Sequence, residues 1–164
     1  MPYALYAIRY ATREARRPEH FIGGDAHDGP MPMDYFSWVA VGEGRAVVID
    51  TGFDEAMSRK RKRTFLRCPV ESLRLVGVDP DTVEDVVLTH LHYDHVGNFA
   101  KFPKARFHLQ EPELTYATGR YMSHPFLSHA FEVDVVVGVV RLNYASRVAF
   151  YHGGTELAPG VRLH

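Results

Sequence analysis

The sequence predicts an α/β (α+β) domain, and three observations carry that prediction. Short apolar runs rich in β-branched residues at 47–49 and 86–88 have the composition of strands, and 105–109 and 148–151 read as further short strands. Between them lie stretches with helical signals. Residues 70–76 place Val70, Leu73, Leu75 and Val76 at helical spacing before Gly77, a natural stop, and 111–118 tolerates Pro112 in its first turn and ends at Gly119. No internal repeat or change of composition divides the 164 residues, so a single domain over 1–164 is expected.

Taken in order, residues 3–10 alternate loosely and predict a first strand, followed by a basic, polar connection from 13 to 19 and a Gly/Asp/Pro-rich loop over 23–32. Residues 36–41 and 46–50 flank Gly42-Glu43-Gly44 and predict a hairpin, because the glycines supply the positive φ of a tight turn. That hairpin delivers Asp50 to a strand end. Asp79-Pro80-Asp81 then turns the chain into the strand at 86–88, and a helix is expected to begin at 96–99. Beyond 105–109, residues 133–142 are ambiguous, since their valines favour a strand by propensity while the family resemblance given below suggests helix or irregular structure. Residues 148–157 are read as a hairpin or meander, and 161–163 as the start of a last strand.

Composition removes several functions. With 46% hydrophobic residues and a net charge of −1, neither disorder nor a bulk nucleic-acid-binding surface is suggested. The basic run at 59–63 with Arg67 lacks interleaved aromatic residues, so it is read as the coat of an exposed helix or loop. The single cysteine, Cys68, allows no internal disulfide and is read as a small buried apolar residue. No signal peptide and no membrane-spanning run are visible, and the cytoplasm is the expected compartment.

The chemistry is concentrated directly after the strand at 86–88. Thr89-His90-Leu91-His92-Tyr93-Asp94-His95 offers three imidazoles and a carboxylate within six residues, the donor types preferred by zinc and related divalent ions. His90 and His92, two apart at a strand end, can both face one ion, while Asp94 and His95 in the next turn can face a second ion or the far side of the first. Four ligands per zinc is the norm, so the remainder must come from elsewhere in the fold. His108 lacks ligand spacing and is read as packed or outward-facing. His124 and His129 miss the spacing of one helical face and are candidates only for lining a substrate pocket.

This motif, together with Val47-Val48-Ile49-Asp50-Thr51-Gly52 upstream, resembles the metallo-β-lactamase superfamily. The N-acyl homoserine lactonase branch is the most similar. The likeness to that branch rests on His27-Asp28, Met31-Pro32-Met33, the aromatic strand through Trp38, Asp50-Thr51-Gly52-Phe53, Gly77-Val78-Asp79-Pro80, Ala105-Arg106-Phe107-His108-Leu109 and Glu156-Leu157-Ala158-Pro159-Gly160-Val161. It implies the N-terminal part of an αβ/βα sandwich, incomplete at its C-terminus. The chain stops at His164, before the Gly-His-Thr or Gly-His-Ser turn, the bridging aspartate, the last histidine and the tyrosine of that family. Apolar faces would then stand exposed, with marginal stability as the expected result.

The resemblance further implies two divalent ions, zinc by ligand preference, held by His90, His92, Asp94 and His95. Asp50 would support the histidines from behind, and Asp94 would also orient the hydroxide or carry its proton. The implied reaction is opening of a lactone ring, in quorum quenching, by metal-activated hydroxide, with the 164-residue chain inactive alone because each metal lacks ligands. Substrate-contacting residues are not identified, and a homodimer is left open. Two other readings compete: another hydrolase of the same fold, such as a thioesterase resembling glyoxalase II or a broad lactonase, and a non-catalytic metal-binding module.

Overall fold

The computed structural model describes residues 2–164. In chain order they form β1 (Ala4–Arg13), β2 (Met33–Gly42), β3 (Arg45–Ile49), α1 (Glu55–Lys60), β4 (Thr64–Phe65), β5 (Asp85–Val87), α2 (Tyr93–Val96), β6 (Arg106–Gln110), α3 (Glu111–Ala117), α4 (Pro125–Ser128), α5 (Val133–Tyr144), β7 (Val148–Tyr151), β8 (Thr155–Ala158) and β9 (Val161–Leu163), with short 3-10 turns between them. A seven-stranded mixed sheet runs in the order β4-β1-β2-β3-β5-β6-β7, and β8 and β9 pair separately. The expected α/β architecture is therefore observed. No helix among the described residues is long and apolar enough to cross a membrane.

Alternation along the strands decides which side chains make the core. Registered neighbours Val39, Val48, Val86, Phe107 and Val148 form one row across five strands, all buried. Onto this face pack Val70, Leu73, Phe102 and the Val136 and Val139 stripe of α5. The intervening positions, Ala7, Trp38, Ile49, Val87 and His108, point to the opposite face. There Ala40, Val47 and Val87 meet Tyr3, Leu157 and Leu163, while Leu5 stays 61% and Trp38 38% exposed.

The β2–β3 hairpin closes through Glu43 (φ 51°) and Gly44 (φ 72°), two residues in the left-handed region, as a tight right-twisted hairpin requires. Strands β3, β5 and β6 run parallel, so their C-terminal ends open on the same edge. That edge is where a mixed α/β sheet exposes loops able to bind ligands.

Three expectations need correction, and one element left open by the sequence is settled. The motif helix is α2 itself, spanning 93–96 and capped by Gly97, so it begins before 96–99, and Phe99 starts a separate 3-10 turn. The ambiguous 133–142 stretch is helical, because Val136 and Val139 bury against the sheet and Gly138 lets the helix touch the Phe99 ring. Strand β7 joins β6 in parallel, and the terminal hairpin is β8–β9 rather than β7 with β8. Finally, Arg61 and Arg63 do not coat a surface: both engage Tyr93.

Candidate metal centre

Strands β3 and β5 end side by side, which sets Asp50 against Thr89. The Asp50 amide donates to the Val87 carbonyl (2.8 Å), and the Thr89 amide donates to Asp50 Oδ1 (2.8 Å). Asp50 sits at φ 60°, a left-handed conformation that aspartate tolerates better than most residues, and its side chain is buried. The chain thus turns inward at this point and aims a carboxylate at the loop following β5.

That carboxylate organises two histidines. Thr89 Oγ1 gives its single proton to Asp50 (2.8 Å to Oδ2), so its contact with His90 Nδ1 at 3.0 Å must be an N–H donated by the ring, leaving His90 Nε2 with its lone pair free. His95 Nδ1 lies 2.7 Å from Asp50 Oδ2, and its Nε2 lies 3.5 Å from Asp94 Oδ2. In His95 the nitrogen remote from Asp50 is the one turned toward Asp94, the usual arrangement behind a metal-ligating imidazole.

The three rings stand together. His90 lies with its ring centroid 3.9 Å from that of His95 and 4.4 Å from that of His92, and His92 meets Phe131 edge-on at 4.8 Å. Imidazoles sharing one tetrahedral ion would have centroids about 5 Å apart, given zinc–nitrogen bonds of about 2.0–2.1 Å. The rings are therefore closed on one another. Consistently, no group of three or more His, Cys, Asp or Glu side chains among the described residues is arranged as a ready metal cage. The donor set and the partial burial fit a divalent first-row ion.

Electrostatics follow from the same contacts. Burial, reinforced by the neighbouring His95, lowers the His90 pKa, and burial with His90 alongside depresses His92 to about 4. Burial also opposes charging of His95, but its hydrogen bonds to Asp50 and Asp94 outweigh it and raise that pKa to about 9. Asp94 is held below the ordinary carboxylate range: burial pushes it up, and the His95 contacts more than offset this.

The turn is fixed by residues of the two motif segments, to which the sequence assigned no contact, and by Tyr10 and Glu113, which it did not single out. Thr51 donates its amide and its hydroxyl to the His95 carbonyl, and Asn98 Nδ2 donates to the Thr51 carbonyl (3.0 Å). A Cβ at Gly97 would stand 2.9 Å from the Gly52 carbonyl oxygen, so the two segments approach this closely only with glycine there. Tyr10 donates to the Asp94 carbonyl (2.8 Å), Glu113 accepts from the Leu91 amide (2.8 Å), and Tyr93 stacks on Phe53. Gly97 and Asn98, adjoining the motif, were the available signal; the tyrosines lie too far off in sequence to give one.

Of the remaining histidines, His108 is packed as expected, between Asp85 (2.8 Å) and Tyr151 (2.8 Å). His129 lies near enough to His92 to help lower its pKa.

Residues 31–157 match the family model of the metallo-beta-lactamase superfamily. Among curated proteins, the N-acyl homoserine lactonase AiiB of Agrobacterium fabrum (strain C58 / ATCC 33970) is 33% identical over 93 residues, which are 57% of this chain and 34% of that protein. Among solved structures, a quorum-quenching N-acyl homoserine lactone lactonase superposes with a TM-score of 0.73 at 18% identity, covering 99% of this chain and 62% of the other. An N-acyl homoserine lactone hydrolase with the product N-hexanoyl-L-homoserine bound at its catalytic metal center gives 0.71 at 17% identity, covering 99% and 65%. At these identities the structural likeness establishes the fold. The segment aligned with AiiB spans about a third of that relative's length.

Proposed function

The chain belongs to the metallo-β-lactamase superfamily, and on that premise we propose that it is a metal-dependent hydrolase that opens the ring of an N-acyl homoserine lactone, a substrate class suggested by its relatives. The observation that carries this reading is the closed cluster of His90, His92 and His95 beside Asp94, with Asp50 behind it. In this reading His90 and His92 hold one divalent ion, and Asp94 and His95 hold a second ion or close the far side of the first, with zinc favoured by the donor set. Bound there, such ions supply Lewis acidity and make hydroxide available near neutral pH.

The chain's own residues then have distinct tasks. Asp50 and Thr89 keep His95 and His90 in tautomers that direct a free nitrogen into the cluster. Asp94, held as a carboxylate beside His95, takes a proton from the attacking water and returns it to the leaving oxygen as the ring C–O bond breaks. Phe131 covers the outer flank of His92 and limits solvent on that side.

The test is metal content and hydrolysis on the purified chain supplied with zinc, using N-hexanoyl homoserine lactone and an acyl thioester in parallel, with and without chelator. Chelator-sensitive ring opening that is lost in His90→Ala and His92→Ala supports the proposal. Cleavage of the thioester alone transfers the chain to another hydrolase activity of the superfamily, and tight zinc binding without turnover of either substrate, by this chain and by the same chain extended through its genomic downstream sequence, makes it a metal-binding module.

A further inference from the structure

Among the contacts that tie the motif turn to remote parts of the chain, one side chain joins two of them. Arg61, just past the end of α1, places its guanidinium 4.4 Å from the centre of the Tyr93 ring. Its Nε and Nη2 donate to Glu132 Oε1 (3.0 and 2.7 Å), and Nη1 donates to the His129 carbonyl (2.6 Å). Tyr93 lies between His92 and Asp94, and its amide donates to the Ala130 carbonyl (2.9 Å). Phe131, between Ala130 and Glu132, is the residue that meets His92 edge-on. Two segments far apart in sequence therefore converge on the planar cation of a third, and among the described contacts Arg61 touches none of His90, His92 and His95.

We propose that Arg61 is a positioning residue for the metal turn, joining Tyr93 to the 129–132 segment so that the turn and the Phe131 wall beside His92 are held as one unit. This rests on the reading that residues 90–95 hold metal. The geometry asks for arginine in particular. A flat fork can stack on an aromatic ring while donating in its own plane to a carboxylate and a carbonyl, which a single ammonium cannot do. Lys60 provides an internal control: it also pairs with Glu132 (2.6 Å), from a more exposed position, and has no contact with Tyr93 among those described.

The experiment compares Arg61→Met, Arg61→Lys and Lys60→Met by two readouts: zinc affinity by chelator competition, and hydrogen exchange of the Tyr93 amide in the metal-free chain. Arg61→Met is expected to weaken zinc about tenfold, the scale of outer-sphere partners, and to speed Tyr93 exchange at least as much. Arg61→Lys should follow it in both readouts, and Lys60→Met should stay within about twofold of the unmodified chain. Should Arg61→Met fail to fold, the same two measurements on Arg61→Lys decide.

Zinc affinity and Tyr93 exchange unchanged in the Arg61 variants would overturn the proposal. So would equal losses in Lys60→Met, because the effect would then belong to the ion pair with Glu132. If the unmodified chain takes up no zinc, the function proposed above fails, and Tyr93 exchange still settles the positioning role.

Discussion

Replacing Asp50 by Asn isolates what the buried carboxylate contributes. Asn also tolerates the left-handed backbone found at this position, so no new strain confounds the comparison. One oxygen survives to accept from the Thr89 amide. The other becomes an NH2 facing His95 Nδ1 and the Thr89 hydroxyl, so the bonds of 2.7 and 2.8 Å are lost. Hydrogen bonds to a charged group are worth about 1.5–3 kcal/mol each. The Thr89 hydroxyl can rotate back to the surviving oxygen, 3.0 Å away, which recovers part of one. A net loss of about 2–4 kcal/mol is therefore expected. The chain has a single tryptophan, Trp38, on the strand next to β3, so urea unfolding of the metal-free chain followed by its fluorescence measures the change directly. A loss below about 1 kcal/mol would refute the claim that Asp50 holds the histidine cluster together.

Other substitutions test separate parts of the structure. Glu132 has a carboxyl below the ordinary range: burial raises it, and Lys60 and Arg61 more than compensate. A depressed folded pKa stabilises above the unfolded value and loses that contribution as pH falls through the folded one. Glu132→Gln should thus cost about 1 kcal/mol near pH 7 and little in acid, read from urea midpoints at the two pH values. At Gly138 a Cβ would come 2.3 Å from Phe99 Cζ, so Gly138→Ala should destabilise by about 1–2 kcal/mol despite its better helix propensity, with Phe99→Leu restoring part of the loss in thermal melts. Leu5, 61% exposed on the thinly covered sheet face, should accept Lys with a stability change within about 0.5 kcal/mol, while binding of a hydrophobic dye falls; an unchanged dye signal would place the apolar patch elsewhere.

What could be read from the sequence was local. The β2–β3 hairpin showed itself through its Gly-Glu-Gly segment, of which Glu43 and Gly44 make the two-residue turn, and the histidine motif through donors crowded after an apolar strand. What escaped was decided by distant partners. The valines of α5 favour a strand in isolation, and they are helical because the sheet face needs a stripe at positions 136 and 139. Arg61 and Arg63 looked like solvated charge because their partner Tyr93 lies about thirty residues on, outside any local pattern. The role of Asp50 came from resemblance, since one aspartate at a strand end carries no signature of the histidine it holds.

The clasp between Asp50 and His95 spans 45 residues, and Thr51 seals the same junction by bonding the His95 carbonyl. Such a junction cannot form while β3 and β5 are apart, because the intervening loop must first be closed at an entropic cost and β5 docked in parallel. The histidine cluster is therefore a late event in folding. Until the parallel pair is complete, His90 and His95 lack the Asp50-anchored contacts that orient their rings.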